Sequence, residues 1–386
     1  MWIAGGIYAL LGANALAELG TMMPRSGGQY VFVRHGLGEY PAFIVGWSDW
    51  ISTCGSTAAV AIVIGEYTTA LIPQISSFEL VALYFVGLFT VVQWFGVRWG
   101  GNTQNVTSLL KVGVFLALIA GCFLIGGRNP AAAAFETDVE GSQLLAFVLA
   151  LQAVIYTYDG WSAVIYFGEE VKDSGRSIPR AMIGGVVTIV VVYLLLNIAS
   201  LRVVPLGTLA GEKLAIGVVA KHLFGPHGDT IFRGLVLVAL ISALNSNVLM
   251  APRVLFAMSR DGLFWRGAQE VNGGGTPDLA LLISSALAVV FIITGKFESI
   301  LGLLAFFFVA NYTLSFISLF VLRRREPDAA RPWRAWGHPF TTGLALLASV
   351  AFLAGAIASD TRGSLYSLGI LAASVPIYLL VRRRTA

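Results

Sequence analysis

Long runs of apolar residues, separated by short polar gaps, dominate the sequence from end to end. A transmembrane helix needs about 20 mostly apolar residues. No run shows the alternation of apolar and polar positions that is typical of a strand. The pattern therefore predicts an all-α integral membrane protein with eleven spans, at residues 1–23, 47–71, 80–96, 107–126, 143–171, 181–204, 231–251, 279–295, 299–322, 340–358 and 364–381.

The fifth run differs from the others because Tyr158, Asp159 and Gly160 lie at its centre. An aspartate in mid-bilayer costs about 2.5–3.5 kcal/mol, and a glycine gives up about 1 kcal/mol of helix propensity. Non-helical backbone at this depth is tolerated only where protein buries it or where it lines a watery cavity. We therefore predict two half-helices, 143–157 and 160–171, with a gap between them.

The gap between the half-helices has a chemical consequence. Free carbonyl groups at the end of the first half carry a negative dipole end, and free amides after Gly160 carry a positive one. Such a gap suits a ligand with an ammonium group, or with an ammonium and a carboxylate together. The alternative is a kinked span in which Asp159 pairs with a neighbouring helix, and both interpretations stay open.

Composition and charge agree with a membrane protein. The chain has 386 residues, of which 57% are hydrophobic and 12% are charged, whereas globular domains contain about 25% charged residues. The basic residues lie in short gaps between the apolar runs, where they set orientation, so the net charge of +4 does not indicate nucleic acid binding. Eighteen of the 25 lysines and arginines lie on the side of the C-terminus, which predicts a cytoplasmic C-terminus and an external Met1 in the cell membrane.

The sequence offers no sign of an enzyme or a cofactor. Both cysteines, Cys54 and Cys122, lie inside apolar runs and form no CxxC motif, so we expect neither a disulfide framework nor a metal site. The motifs HExxH, GxSxG and the P-loop do not occur in the sequence.

Several polar residues inside the spans allow two interpretations each. Lys111, at the start of the fourth span, either extends to the membrane interface or faces inward as a fixed cation. Ser242 and Asn245 share one helix face at a spacing of three and bond either to another helix or to a ligand. The amphipathic stretch 29–37 is either an inner gate or an interfacial anchor.

The carboxylates near the span ends are expected to be ordinary. We expect Glu18 to form an ion pair with an arginine of the loop that follows the first span. Asp49 and Glu66 bracket the second span near opposite interfaces, which favours solvated or paired carboxylates over a proton relay.

Four segments together resemble amino acid permeases of the amino acid, polyamine and organocation superfamily, above all the L-type and small bacterial transporters. They are ALAELGTMMPRSGGQYVFVRHGLGEYPAFIVGW, LLKVGVF, YTYDGW followed by EEVKDSGRSIPRA, and NSNVLMAPRVLFAMSRDG. The resemblance implies the LeuT fold, with two inverted five-helix repeats, each opening with a broken helix, and two further helices. The eleven spans then correspond to family helices 2 to 12, and we expect the first helix of the family to be missing before Met1.

The resemblance implies that the chain is a single transmembrane domain. Residues 1–126 form the remainder of the first repeat, 143–322 the second repeat, and 340–386 two additional helices with a basic C-terminal tail. The resemblance implies that Tyr156 is an aromatic gate and that Lys111 takes the place of a bound sodium ion as the coupling residue. It implies a substrate site made of Ile155, Tyr156, Thr157, Tyr158, Asp159, Gly160, Trp161, Ser242 and Asn245.

The resemblance also implies the function. We expect a secondary active amino acid transporter, an exchanger or a proton-coupled carrier, that is independent of sodium and works by alternating access. Asp159 occupies a place often held by glycine, so it biases the pocket toward polar or basic substrates or contacts the α-amino group. The gap 72–79 has no cysteine, so no disulfide-linked heavy chain is expected. The alternative is a truncated, transport-dead protein that binds amino acids or acts as a receptor.

Overall fold

The computed structural model describes residues 1–127, 150, 151, 153–155, 157–210, 212, 215–294, 297–359 and 361–385. These residues are mainly helical, and their β-structure is limited to an isolated bridge between Ser26 and Phe167. The prediction of an all-α protein is confirmed. The helices are α1 Trp2–Met22, α2 Gln29–Leu37, α3 Glu39–Leu71, α4 Phe78–Trp94, α5 Val97–Leu124, α6 (the helical residues within 150–158), α7 Ser174–Val203, α8 Leu206–Leu209, α9 Ala215–Phe224, α10 Gly228–Arg260, α11 Asp278–Thr294, α12 Phe297–Arg325, α13 Phe340–Ser359 and α14 Thr361–Thr385.

Eight helical stretches in the described part of the chain are long and apolar enough to cross a membrane. α4 and α11 are apolar but shorter, with 17 residues each. These ten stretches overlap ten of the predicted spans. The remaining span, 143–171, lies partly outside the described residues, so the number eleven stays a prediction.

The centre of the bundle is formed by α1, α3, α10 and α12, which pack with one another and with the segment that follows α6. Small residues allow this close packing, as is common in membrane helices. At Gly12 of α1, a Cβ atom would lie 2.8 Å from the Trp161 ring. Large apolar side chains such as Leu80, Leu124 and Phe340 are exposed on the outer helices, as expected of surfaces that face lipid.

Ion pairs gather at one end of the bundle, which we call the basic end: Arg25–Asp261, Arg34–Asp261, Glu169–Arg260, Glu170–Arg253, Arg323–Glu18 and Arg331–Glu18. Glu18 is fully buried and lies 2.6 Å from Arg323 Nη2 and 3.0 Å from Arg331 Nε. The expectation of an ion pair is confirmed, but the expected partner was wrong. The arginines come from the end of α12 and from the loop after it, because the fold brings these segments onto α1.

The helix α2 lies inside the bundle at the basic end. Its first five residues, 29–33, are all buried among other helices, so the helix is not an interfacial anchor. Its Tyr30 hydroxyl donates to Asp261 Oδ2 at 3.1 Å, and burial together with the Asp261 carboxylate raises the pKa of this hydroxyl. Gly28, just before α2, has φ 64° and touches the Tyr166 ring, which a Cβ atom would approach to 2.7 Å. Only glycine fits this position without strain.

Candidate functional site

The predicted interruption is present in the structure. α6 ends at Tyr158, residues 159–162 form a turn, and Gly160 has φ 101°, a conformation that glycine adopts without strain. The predicted second half-helix, 160–171, was wrong. The turn is followed by a short 3-10 helix, Ala163–Tyr166, after which the chain pairs with the loop at Ser26. Of the predicted first half-helix, residues 143–149 lie outside the described part of the chain.

A cavity of about 780 Å³ lies beside the interruption. Its walls come from α3, α5, the interrupted segment, α7, α10 and α12. The predicted site residues that line it are Lys111, Thr157, Tyr158, Asp159, Gly160, Trp161 and Ser242. The structure thus brings residues from α5, the interrupted segment and α10 to one space, although Lys111 and Ser242 lie 131 positions apart in the sequence.

The carboxyl of Asp159 both lines the cavity at the interruption and bonds to a neighbouring helix, so each of the two interpretations of the sequence holds in part. The Tyr312 hydroxyl of α12 donates to Asp159 Oδ1 at 2.6 Å, so the aspartate does pair with a neighbouring helix. The same Tyr312 hydroxyl lies 3.2 Å from Ser162 Oγ, and the Trp161 ring stacks on the Tyr312 ring with centroids 4.8 Å apart. None of the ion pairs among the described residues includes Asp159, although it lines the cavity. The cavity therefore meets a carboxyl that no basic side chain of the described residues neutralises.

Lys111 faces inward. It lies on α5 and lines the cavity, and it forms no hydrogen bond or ion pair with another residue of the described part of the chain. Among the described residues, Lys111 is therefore a cation at the cavity wall without an anionic partner. Because an ammonium carries three donors, such a position suits an anionic group of a ligand.

Two predicted residues lie elsewhere, and a third is not described. Ile155 is buried in a small apolar cluster with Tyr8 and Phe352. Asn245 is fully buried and uses its amide to bond α10 to two other helices. Its Oδ1 accepts from Gln93 Nε2 at 2.7 Å, and its Nδ2 donates to Gln104 Oε1 at 2.8 Å. Packing explains Asn245 fully. Tyr156 lies outside the described residues.

Other polar lining residues were missed by the sequence analysis. Thr53 and Ser56 of α3 and Ser246 of α10 line the cavity, but hydroxyls in an apolar run do not differ in sequence from those that bond their own helix. Tyr312 was missed because its partner lies 153 positions away. Its signal was a tyrosine inside a span, where a hydroxyl needs a partner.

A second carboxyl lies just behind the cavity. Asp49 of α3 has 0% exposure, and the Tyr166 hydroxyl lies 2.8 Å from its Oδ1 and 2.9 Å from its Oδ2. Asp49 forms no ion pair with another described residue. Asp49 was expected to be solvated or paired. It is not solvated, because α2, α10 and α12 cover this part of α3, and its partner is the Tyr166 hydroxyl rather than a basic side chain.

Comparison with known proteins gives one consistent result. A family model described as amino acid permease matches residues 1–379. The serine/threonine exchanger SteT of Bacillus subtilis is 27% identical over 395 residues, which cover 100% of this chain and 88% of the relative. The b(0,+)-type amino acid transporter 1 of Rattus norvegicus is 29% identical over 98% of this chain and 79% of the relative. The cystine/glutamate transporter of Homo sapiens is 24% identical over 98% of this chain and 77% of the relative.

Proposed function

Because the chain belongs to the amino acid permease family, we propose that its cavity binds the amino acid at the interrupted segment. The protein is a secondary active amino acid transporter of the sodium-independent type and works by alternating access. Its relatives are transporters over nearly the whole chain, so a transport-dead binding protein is not favoured. The same relatives are carriers rather than enzymes, which agrees with the lack of the enzyme motifs HExxH, GxSxG and P-loop in the sequence.

The observation that carries the proposal is the charge pattern of the cavity. Two of its described lining residues are formally charged at neutral pH, the cation Lys111 and the anion Asp159. An amino acid carries one charge of each sign. Its ammonium suits Asp159 and the carbonyl groups that end α6, while its carboxylate suits the amides after Gly160 or the ammonium of Lys111. The volume of about 780 Å³ lies within the range of small-molecule sites.

The substrate side chain would meet a polar surface. Hydroxyl and amide groups line the cavity on α3 and α10, at Thr53, Ser56, Ser242, Ser246 and Asn247. Thr53 and Ser242 already bond to other residues of the bundle. Ser56, Ser246 and Asn247 form no side-chain hydrogen bond with another described residue, so they can bond to a polar side chain of the substrate and would stay unpaired beside an apolar one. We therefore choose a small polar amino acid, L-serine, as the probe, which is also one of the amino acids in the name of the Bacillus subtilis relative.

Lys111 is our candidate for the coupling residue. Its ammonium lines the cavity and lacks a partner among the described residues. A fixed cation at this place supplies charge that a bound sodium ion would otherwise bring. We further assign Tyr156 as the aromatic gate, from its place two residues before Tyr158.

Orientation and organisation complete the proposal. The ion-paired arginines gather at the basic end, and positive charge favours the cytoplasm. We place the basic end and the C-terminus on the cytoplasmic side of the cell membrane, with the two repeats at 1–126 and 143–322. Both cysteines are buried and free, at 1% exposure for Cys54 and 0% for Cys122, which supports a protein without a disulfide-linked heavy chain.

Counterflow in proteoliposomes tests the proposal. The full chain is reconstituted with unlabelled L-serine inside, and the entry of labelled L-serine is measured without sodium. Replacing Tyr158 and Asp159 together with alanine should abolish counterflow while membrane insertion is retained. The control is Glu66→Gln, an exposed carboxylate on the same α3 that passes behind the cavity. Undiminished counterflow in the double variant would mean that the interruption has only a structural role.

A further inference from the structure

Asp49 has an environment that suits a carboxylic acid better than a carboxylate. Its side chain is fully buried, and the Tyr166 hydroxyl is its hydrogen-bond partner among the described residues. A buried carboxylate needs a cation or several donors, and without them it takes up a proton. The polar bonds from Ser52 and Thr53 go to the main-chain carbonyl of Asp49 and leave the carboxyl without further donors.

The Tyr166 hydroxyl gives the Asp49 carboxyl a single hydrogen. This hydrogen is shared between the two carboxyl oxygens, which lie 2.8 and 2.9 Å from the hydroxyl oxygen, as a three-centre bond. One shared hydrogen is little compensation for a buried carboxylate, so burial favours the protonated acid, which can itself donate to a neighbouring oxygen.

The charged neighbours of Asp49 do not neutralise it. On the interrupted segment, Asp159 is a second acid that acts on Asp49 electrostatically. On α10, Arg253 is committed to Glu170, with Nε 2.9 Å from Oε1. On α2, Tyr30 bonds to Asp261 instead. On α12, Tyr312 donates to Asp159, and the neutral Asn311 accepts a bond from Ser48, the residue before Asp49.

A route connects Asp49 to the cavity. Tyr166 lines the cavity and bonds to Asp49, and Thr53, one helical turn further along α3, also lines it. Tyr166 belongs to the 3-10 helix that follows the interruption, so this bond joins the interrupted segment to α3. Movement of that segment away from α3 would expose Asp49 to cavity water, where the charged form is stable.

We propose that Asp49 is a proton-binding site, linked to the cavity by Tyr166, through which amino acid transport is coupled to protons. This inference rests on the proposed transport function. In the arrangement described here the carboxyl holds its proton. On release, the Tyr166 hydroxyl turns from Asp49 toward a cavity water and gives its proton to that water, while the carboxyl O–H bond breaks and its proton passes to the Tyr166 oxygen. The products are a carboxylate and a hydronium ion, so that one proton moves in each cycle.

The test measures proton and amino acid movement on the same proteoliposomes. Counterflow of labelled L-serine at equal pH on both sides measures transport alone. A trapped pH-sensitive dye then reports the acidification that external L-serine causes in serine-free vesicles. We expect acidification with the unmodified chain and with Glu66→Gln, and a loss of about tenfold or more with Asp49→Asn, whose amide has the shape of the acid and no titrating proton. Tyr166→Phe should slow acidification.

Each outcome bears on the inference separately. Acidification by Asp49→Asn equal to that of the unmodified chain would overturn it. So would an unmodified chain that performs counterflow but moves no proton, whatever the folding of the variants, and in that case the proposed transport function stands. An unmodified chain without counterflow would overturn both the transport function and the inference.

Discussion

The substitution Asp159→Asn tests the site with little change of shape. The asparagine oxygen still accepts the hydrogen bond that Tyr312 donates at 2.6 Å, so the contact between the interrupted segment and α12 is retained. What the substitution removes is the carboxylate charge at the edge of the cavity. The ammonium of a bound amino acid then loses a charge-assisted partner while every neighbouring group stays in place.

The size of the effect follows from the bond that is lost. A hydrogen bond to a charged group contributes about 1.5–3 kcal/mol. Since each 1.4 kcal/mol is a factor of ten in affinity, the serine concentration for half-maximal counterflow should rise about 10- to 150-fold. The expected change is far larger than the effect of a surface charge, which contributes about 0–1 kcal/mol in an ion pair.

The assay is serine counterflow at a series of external concentrations, with the amount of inserted protein measured for each variant. Tyr312→Phe is the matched variant, because it keeps the Asp159 charge and removes its hydroxyl partner. It should lower the thermal stability and leave the half-maximal concentration within a few-fold of its original value. A half-maximal concentration for Asp159→Asn within about twofold would refute a contact between Asp159 and the substrate ammonium.

Three further predictions concern other parts of the chain. Lys111→Ala should abolish serine transport at every pH while Lys111→Arg retains part of it, and full transport by the alanine variant would refute the coupling role. Glu18→Ala leaves the buried Arg331 guanidinium with main-chain carbonyl partners but without its carboxylate, and should lower the free energy of unfolding by about 3–5 kcal/mol, measured by denaturation in detergent, whereas a loss below about 1 kcal/mol would contradict the burial argument. Gly28→Ala presses on the Tyr166 ring at positive φ and should cost about 1–3 kcal/mol, and an unchanged melting temperature would contradict it.

Local features of the sequence predicted the place of the interruption. Asp159 and Gly160 oppose a continuous helix through intrinsic costs that do not depend on distant residues, and α6 ends at Tyr158. The length of the apolar runs likewise predicted, among the described residues, the eight long helical stretches and the two shorter apolar helices α4 and α11. The second half-helix was wrong because the chain after Tyr166 pairs with the loop at Ser26, and this contact replaces the helical bonds that the apolar run favoured.

Partners that are distant in sequence could not be predicted. Glu18 and Arg323 lie 305 positions apart, and nothing in either segment indicates the other. Asp49 lies near one end of the predicted span 47–71, so its position suggested the membrane interface, but the packing of α2, α10 and α12 buries it. An asparagine inside a span, such as Asn245, can bind a ligand or join two helices, and the sequence does not distinguish the two roles. Its bonds to Gln93 and Gln104 in the structure identify a packing role.

The most direct measurement is a cryo-electron microscopy structure of the full chain in a lipid nanodisc at saturating L-serine. We predict a break in the helix between Tyr158 and Gly160, and density for the amino acid in the adjoining cavity between Asp159 and the free main chain. A continuous helix through residues 155–162 that faces lipid, with no density in the cavity, would contradict the proposed site.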